Sequence, residues 1–430
     1  MGESSVRASA DSSASALTAS PRTESALLER MHAANAPRIL HVAETIKGGI
    51  ATVLTSLLPH QLAASGEGRV AAIVPDQHVG ELCTIPSRAL ITFQRSGRDV
   101  RSLLALSAVM HKAIREFRPD IVHLHSSFAG AIGRALLCLQ VTGKKPKIVY
   151  TPHAFAFTMP DLKWKRAVFS VLEAQLSRFC DAIICISDFE QKAALAAGIR
   201  ADRLHRIYNG IALPQLPATH TTRPAGGPLK LLFVGRLDRQ KGFDVLLDAM
   251  TKLPTNMFRL VVVGATVLND RIASHRRLPN VEYMGWVPHD ALGPIYANAD
   301  VLVMPSRWEG FGLVAVEAQS RGVPVVAARS CSLPELVQHD RTGLLFDLDN
   351  SDELANLLRS TPRARWRELG QAGRKSVEQH FVDTRMLEQT DALYRRILSA
   401  TPARRAAGAT TYRPSSAPTP VGLKPPNRTS

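Results

Sequence analysis

The chain has 430 residues, 45% of them hydrophobic, 21% charged and 6% aromatic, an ordinary globular composition at a length that suits two or three domains. This excludes a small disulfide-stapled scaffold, and the five cysteines (Cys83, Cys138, Cys180, Cys185 and Cys331) include no Cys-x-x-Cys pair of the kind that holds zinc. The formal charge of +16 implies a positive surface field suited to nucleic acid, anionic lipid or phosphorylated substrates.

Residues 1–36 are rich in Ser and Ala, lack aliphatic periodicity and read as a disordered tail. They lack the basic start and apolar core of a secretory signal. No stretch reaches the roughly 18 uninterrupted apolar residues of a membrane-spanning helix. The expected location is cytoplasmic, with reduced thiols, so any membrane contact would be peripheral, at the inner face of the plasma membrane.

Between residues 38 and 213 the apolar runs Ile39–Val42, Ala71–Val74, Ile121–Leu124, Ile148–Tyr150 and Ala182–Ile186 alternate with amphipathic stretches. That alternation predicts a parallel sheet covered on both faces. Residues 214–228, with four prolines and a Gly-Gly, interrupt the periodicity and read as a linker. A second series occupies 229–379, with strand-like runs at Leu231–Val234, Leu260–Val263, Val301–Met304 and Pro324–Ala327 and helical patterns at Phe243–Leu253 and Leu313–Arg321. Residues 380–400 form a last amphipathic helix, able to pack back on the first domain, and 401–430 read as a disordered basic tail. The predicted fold class is α/β: two doubly wound, Rossmann-like domains facing an interdomain cleft, where ligands of such folds sit at strand carboxyl ends.

Chemistry-bearing residues fall at the ends of these strands. The first strand leads to Gly48-Gly49 and then a helix, an arrangement that fits either a tight turn or a backbone approach to phosphate at a helix N-terminus. It is not a Gly-x-Gly-x-x-Gly, which weakens a nicotinamide reading. In the second series Leu231-Leu-Phe-Val-Gly235-Arg236 is followed by Lys241-Gly242. Its guanidinium and ammonium can converge on one diphosphate, where a solvated basic turn accounts poorly for both. Further on, Pro305-Ser-Arg-Trp-Glu309-Gly310-Phe311-Gly312-Leu313-Val-Ala-Val-Glu317 places one carboxylate on a glycine-rich loop and another on the ensuing helix. One can face sugar hydroxyls and the other a second diol such as ribose, although either acid taken singly suits helix capping.

The last stretch resembles the E-x7-E signature of retaining GT-B glycosyltransferases, the large family 4 of nucleotide-sugar-dependent enzymes (group 1 glycosyltransferases). Gly235 to Gly242 matches that family's G-R-L-x-x-x-K-G element, Asn209-Gly210 its interdomain V-x-N-G, and Val281 to Val303 its V-x-x-x-G-x-V and Y-x-x-A-D segments, so the resemblance covers roughly 38–400. It implies that Arg236 and Lys241 bind the donor diphosphate, Glu309 the transferred sugar and Glu317 the nucleotide ribose. By the same resemblance Gly235 and the amides of Gly310, Phe311, Gly312 and Leu313 meet sugar and phosphate, Gly48 and Gly49 close over the diphosphate, and the base lies at Trp286-Val287. His153, in Thr151-Pro-His-Ala-Phe, matches the histidine that the family places beside the sugar. There it can bond a sugar hydroxyl or the incoming oxygen of the acceptor.

No cofactor is expected beyond the co-substrate, a UDP- or GDP-linked sugar. No metal is expected either: Asp347-Leu-Asp349 precedes an Asn-Ser-Asp helix start and reads as a turn and cap. Lys163, Trp164, Lys165 and Arg166 open an amphipathic helix that could lie on an anionic bilayer or present a solvated basic face. The expected function is retaining transfer of one hexose to a polyprenyl-diphosphate-linked saccharide, as in bacterial exopolysaccharide or O-antigen assembly. A soluble sugar-phosphate or small-metabolite acceptor is the alternative. A non-catalytic sugar-nucleotide sensor and a nucleic-acid-binding protein are weaker readings, because both glutamates and both cations are retained and no helix-turn-helix or zinc signature occurs.

Overall fold

A computed structural model describes residues 36–97, 99–139, 145–159, 162–215, 226–266 and 278–400; both expected tails, apart from Ala36, and most of the expected linker lie outside them. The first domain is built on β1 (Ile39–Ala43), β2 (Val70–Pro75), β3 (Leu90–Phe93), β4 (Ile121–His125), β5 (Lys147–Thr151), β6 (Ala182–Cys185) and β7 (Leu204–Arg206). They pair in the order β3-β2-β1-β4-β5-β6-β7, every ladder parallel. Helices α1 (Gly49–Ser65), α2 (Val100–Phe117), α3 (Ser127–Leu139), α4 (Lys163–Leu176) and α5 (Asp188–Ala196) form the crossovers. β1 and β4 are buried along their whole length, as the central strands of a doubly covered sheet must be, although they carry His41, His123 and His125 among their apolar residues. α2 starts where the Asp99 carboxylate accepts the Ser102 amide at 2.7 Å, and buries Leu106, Met110, Ala113 and Ile114 at helical spacing.

The second domain repeats the scheme with β8 (Leu229–Val234), β9 (Phe258–Val263), β10 (Val281–Gly285), β11 (Val301–Met304), β12 (Val325–Ala328) and β13 (Gly343–Phe346). Their order is β10-β9-β8-β11-β12-β13, again all parallel. Its helices are α6 (Phe243–Thr251), α7 (Leu292–Ala297), α8 (Leu313–Ser320), α9 (Leu333–Leu336), α10 (Ser351–Ser360) and α11 (Arg363–His380). In both sheets the winding direction reverses beside the first strand, between β1 and β4 and between β8 and β11. Loops leaving such a pair of strands diverge, and the crevice between them is where these folds take ligands.

The chain then returns. α12 (Asp383–Ser399) inserts Met386, Leu387, Leu393, Tyr394 and Ile397 among Ile39, Val53, Leu57, Ile184 and Ile207 of the first domain. Phe381 and Val382 do not continue the helix from His380, as the hydrophobic pattern suggested. They run beside Ile211, whose amide donates to the Phe381 carbonyl and whose carbonyl accepts from the Asp383 amide, both at 3.0 Å. Only glycine fits at 210, because a Cβ there would lie 2.3 Å from the Val382 carbonyl oxygen.

Two further contacts join the domains. Both Glu335 oxygens, at the start of α9, accept the Asp188 and Phe189 amides of α5 at 2.7 Å, so one domain caps a helix of the other. Tyr208, Phe311 and Phe381 meet in tilted and edge-to-face contacts at centroid separations of 5.4–5.9 Å beside the crossing. Among the described residues, no helix is long and apolar enough to cross a membrane.

Candidate active site

The loops leaving β8 and β11 interlock. Gly242 takes a left-handed conformation at φ 64°, and a Cβ on it would sit 1.9 Å from the Pro305 carbonyl oxygen, so the Lys241 turn rests directly on the loop carrying Glu309. Lys241 Nζ meets Glu309 Oε1 at 2.6 Å, with both side chains largely shielded from solvent. Asp238 Oδ1 accepts the Lys241 amide at 3.0 Å, while its other oxygen pairs with the Arg236 guanidinium at 2.9 Å; Arg236 also donates to Gln240. Arg307 braces the assembly through Asp244, Asp349 and the Arg239 carbonyl. Asp349 is thereby held by Arg307, and Asp347 lies 3.4 Å from Arg329.

α8 begins just past Gly312, which adopts φ 102°, so the first amides of the helix open beside Glu309 and provide a site of positive potential. The Phe311 side chain is buried and belongs to the interdomain aromatic cluster, leaving only its backbone to the cleft. Glu317 sits on α8 and is itself buried. His289 Nε2 lies 3.0 Å from its Oε1, and the Tyr296 hydroxyl donates to its Oε2 at 2.8 Å. That hydrogen bond with the carboxylate raises the His289 imidazole above its ordinary pKa. On the loop after β10, Trp286 is exposed and Val287 packs against the second domain.

The first domain faces this site. Gly48 precedes α1 at φ 75°, and a Cβ on Gly49 would lie 3.3 Å from Leu313 Cδ1, so the glycine loop looks onto the start of α8. Gly310 is equally close to the other side: a Cβ there would be 2.7 Å from the His153 carbonyl oxygen. Thus the two glycine loops, His153, Lys241 and Glu309 come together at the domain boundary. His153 (φ 56°) and Ala154 (φ 119°) have left-handed backbones, a conformation unfavourable for residues with a Cβ. Glu190 holds them there by accepting the Ala154 amide at 2.9 Å and the Ile186 amide at 2.7 Å. Burial pushes its carboxyl up to about 7.

Behind His153 runs a file of histidines. His153 Nε2 lies 3.0 Å from His125 Nδ1, His125 Nε2 lies 3.0 Å from His41 Nδ1, and His41 Nε2 lies 2.7 Å from Gln61 Oε1. A side branch joins Tyr394 to His123 at 2.6 Å and His123 to Thr151 at 2.7 Å. Burial lowers the His41 pKa to about 4 and that of His153 to about 3, and those of His123 and His125 well below the ordinary value. Donor atoms of His41, His123 and His125 lie within 4.8 Å of one another, close enough to surround a metal ion. Each of their six nitrogens already has a hydrogen-bond partner in the fold, so a metal would have to displace those bonds.

Lys163, Trp164, Lys165 and Arg166 open α4. Trp164 is 63% exposed, and Leu162, Val168, Phe169, Val171 and Leu172 are exposed with it. The Lys165 ammonium lies 5.9 Å from the Trp164 ring, while Arg166 turns back to donate to the Phe157 carbonyl. Tyr296 and Asp238 lie inside the Y-x-x-A-D and G-R-L-x-x-x-K-G segments, which carry no role for them, and neither His289 nor the residues behind His153 belong to a motif that marks them.

Two family models match the chain in succession: Glycosyltransferase Family 4 over residues 47–214 and Glycosyl transferases group 1 over 220–374. The chain is 34% identical to an uncharacterized 41.2 kDa protein in the cps region of Klebsiella pneumoniae, over 83% of this chain and 99% of that one. It is 29% identical to the UDP-Gal:alpha-D-GlcNAc-diphosphoundecaprenol alpha-1,3-galactosyltransferase of Escherichia coli, over 61% of this chain and 70% of that protein. In three dimensions it is similar to the Anabaena protein Alr3699/HepE in complex with UDP and glucose (TM-score 0.68, 21% identity), matched over 84% of this chain and 99% of that one. The sucrose-phosphate synthase of Thermosynechococcus elongatus is matched with the same coverages (TM-score 0.71, 23% identity).

Proposed function

The chain belongs to the group 1 glycosyltransferases and has their GT-B fold, and on that premise we propose that it moves a hexose from a nucleotide-diphosphate sugar to a lipid-linked saccharide with retention of anomeric configuration. The observation that carries the donor reading is the Lys241–Glu309 pair at the mouth of α8, opposed by Gly48, Gly49 and His153 from the other domain. In this reading a diphosphate draws Lys241 and Arg236 toward itself, with the α8 amides and the Gly48-Gly49 backbone supplying further positive potential. Glu309, released from Lys241, accepts sugar hydroxyls. Glu317, already oriented by His289 and Tyr296, accepts a ribose diol through its remaining lone pairs, and the base lies along the Trp286-Val287 loop.

Transfer then needs no divalent cation, because the developing charge on the leaving diphosphate is met by Arg236, Lys241 and helix-terminal amides. The acceptor oxygen approaches on the same face as the leaving group, whose phosphate oxygen takes its proton as an oxocarbenium-like sugar forms. His153 bonds a hydroxyl of the sugar or of the acceptor. The relative encoded in a cps region and the galactosyltransferase named for a diphosphoundecaprenol acceptor support a polyprenyl-diphosphate acceptor in exopolysaccharide or O-antigen assembly. The neighbour solved with UDP and glucose supports a UDP-sugar donor. The exposed apolar face of α4, flanked by Lys163 and Lys165, supports peripheral docking on an anionic membrane.

A panel of UDP- and GDP-sugars tests the donor reading by thermal unfolding, since a ligand at about 100 times its Kd stabilises the fold by about 2.7 kcal/mol. Protection by no nucleotide sugar would end it, as would full turnover by Arg236→Ala or Lys241→Ala. Liposome flotation of the wild type against a Lys163→Glu/Trp164→Ala variant tests the membrane. No binding by the wild type would move the acceptor to the soluble class.

A further inference from the structure

The file of rings behind His153 has a property that its members lack singly. A neutral imidazole carries one N–H, so within a chain of imidazoles each ring must donate at one nitrogen and accept at the other. The links Gln61–His41–His125–His153 therefore share one polarity, and whichever group ends the chain sets it. Burial keeps the three rings neutral. At the far end stands Gln61, on α1, whose amide can offer either an oxygen or a nitrogen.

Its oxygen faces His41, with Oε1 2.7 Å from His41 Nε2. The side branch agrees with that orientation when the Tyr394 hydroxyl, 2.6 Å from His123 Nδ1, is the donor there and His123 Nε2 donates to Thr151 Oγ1 at 2.7 Å. The phenol oxygen is left as an acceptor beside the Gln61 amide. Gln61 meets it best with its nitrogen, although that nitrogen, buried, forms no well-shaped bond of its own. The Gln61 oxygen then faces His41. Assigned by this hydrogen-bond economy, His41 donates from Nε2 to Gln61, His125 from Nε2 to His41, and His153 from Nε2 to His125. His153 Nδ1, which has no partner among the described residues, remains a bare lone pair.

We propose that Gln61, acting through His41 and His125, is a positioning residue that locks His153 in the Nε2–H tautomer, so that the side chain presents an acceptor rather than a donor to the cleft. The proposal rests on the placement of His153 beside the transferred sugar. It assigns the substrate's side of that contact to a hydroxyl group, and it excludes a His153 that donates to a carbonyl or phosphate oxygen. Reversing the Gln61 amide would reverse all three rings and turn the same nitrogen into a donor.

Long-range 15N–1H correlation spectra of full-length, 15N-histidine-labelled protein read each ring's tautomer directly, the His153 signals being assigned by their loss in His153→Gln. The expected result is the Nε2–H form for His41, His125 and His153 alike; an Nδ1–H form at any of the three overturns the proposal in the wild type, before any variant is made. Gln61→Met keeps the shape of the side chain and removes its acceptor. It should leave His153 a mixture of tautomers and lower kcat about tenfold, the factor that one buried hydrogen bond of ordinary strength allows, with the donor KM within twofold. A variant that lowers Tm but leaves the His153 tautomer and kcat unchanged would assign Gln61 a structural role only and overturn the proposal. The spectra need no substrate, so a failure of every sugar nucleotide to bind would refute the donor reading while leaving the polarity of the chain intact.

Discussion

Gly310→Ala probes the domain boundary at one atom. The new Cβ would lie 2.7 Å from the His153 carbonyl oxygen and 3.2 Å from Ala154 Cβ, where ordinary contact begins at 3.4 Å. Relief requires an opening of about 0.7 Å, and neither side yields freely. The His153-Ala154 loop is tied to Glu190 and His125, and the Gly310 loop to Lys241 through the neighbouring Glu309. The cheapest response is for the two domains to part slightly. Both cores stay intact, so thermal stability should change little. The catalytic constellation is split, and misplacement on the ångström scale costs about a hundredfold in rate, so kcat/KM should fall about 10- to 100-fold. Release of nucleoside diphosphate from the donor that protects against unfolding provides the assay. Gly80→Ala, whose Cβ would meet nothing within 4 Å, serves as the control. An alanine at 310 that leaves kcat/KM within twofold of wild type would refute the placement of His153 and Gly310 in one closed site.

Tyr296→Phe removes one of the two groups that orient Glu317 and should raise the donor KM about 3- to 10-fold with little change in kcat, the scale of one net hydrogen bond. Glu335→Ala removes the carboxylate that accepts the Asp188 and Phe189 amides from across the boundary, leaving the Ser187 cap in place, and should cost about 1 kcal/mol, read in calorimetry as a broader or split unfolding transition; an unchanged single peak would count against the contact. The histidine file makes the first domain acid-sensitive. A folded pKa held below the unfolded value of 6.5 contributes stability that is complete above pH 6.5 and is lost as pH falls, for His41 down to about 4. At pH 5 His41 alone removes about 2 kcal/mol, so the urea midpoint should drop steeply between pH 7 and 5; a flat profile there would contradict the burial of these rings.

The doubly wound order was readable because strands such as Val301–Met304 and Val325–Ala328 are buried along their whole length, and burial on both faces leaves an unbroken apolar run. The strands that the pattern left out are mostly short or at an edge. Leu204–Arg206 and Val281–Gly285 close their sheets at one side, where polar residues are tolerated. The candidate site divides in the same way. Glu309 and Glu317 lie eight positions apart in one motif, whereas His289, in the turn before α7, and Tyr296, on α7, reach Glu317 only through the folded structure. His41, His123 and His125 look like strand residues in an apolar context. Only the register that sets His41 opposite His123 and Ala43 opposite His125 brings the rings together.

The return of α12 to the first domain also bears on how the chain can be made. Synthesis is vectorial, and domains near the N-terminus ordinarily fold while the rest is still being translated. Here Ile39, Val53, Leu57, Ile184 and Ile207 lie in a groove whose lid is encoded by residues 383–399, after the entire second domain. The first sheet therefore leaves the ribosome with an uncovered apolar seam and stays that way until the second domain has been synthesised. Completion of the two domains is coupled in time, and the stretch of greatest exposure to chaperones and to aggregation falls on the nascent first half.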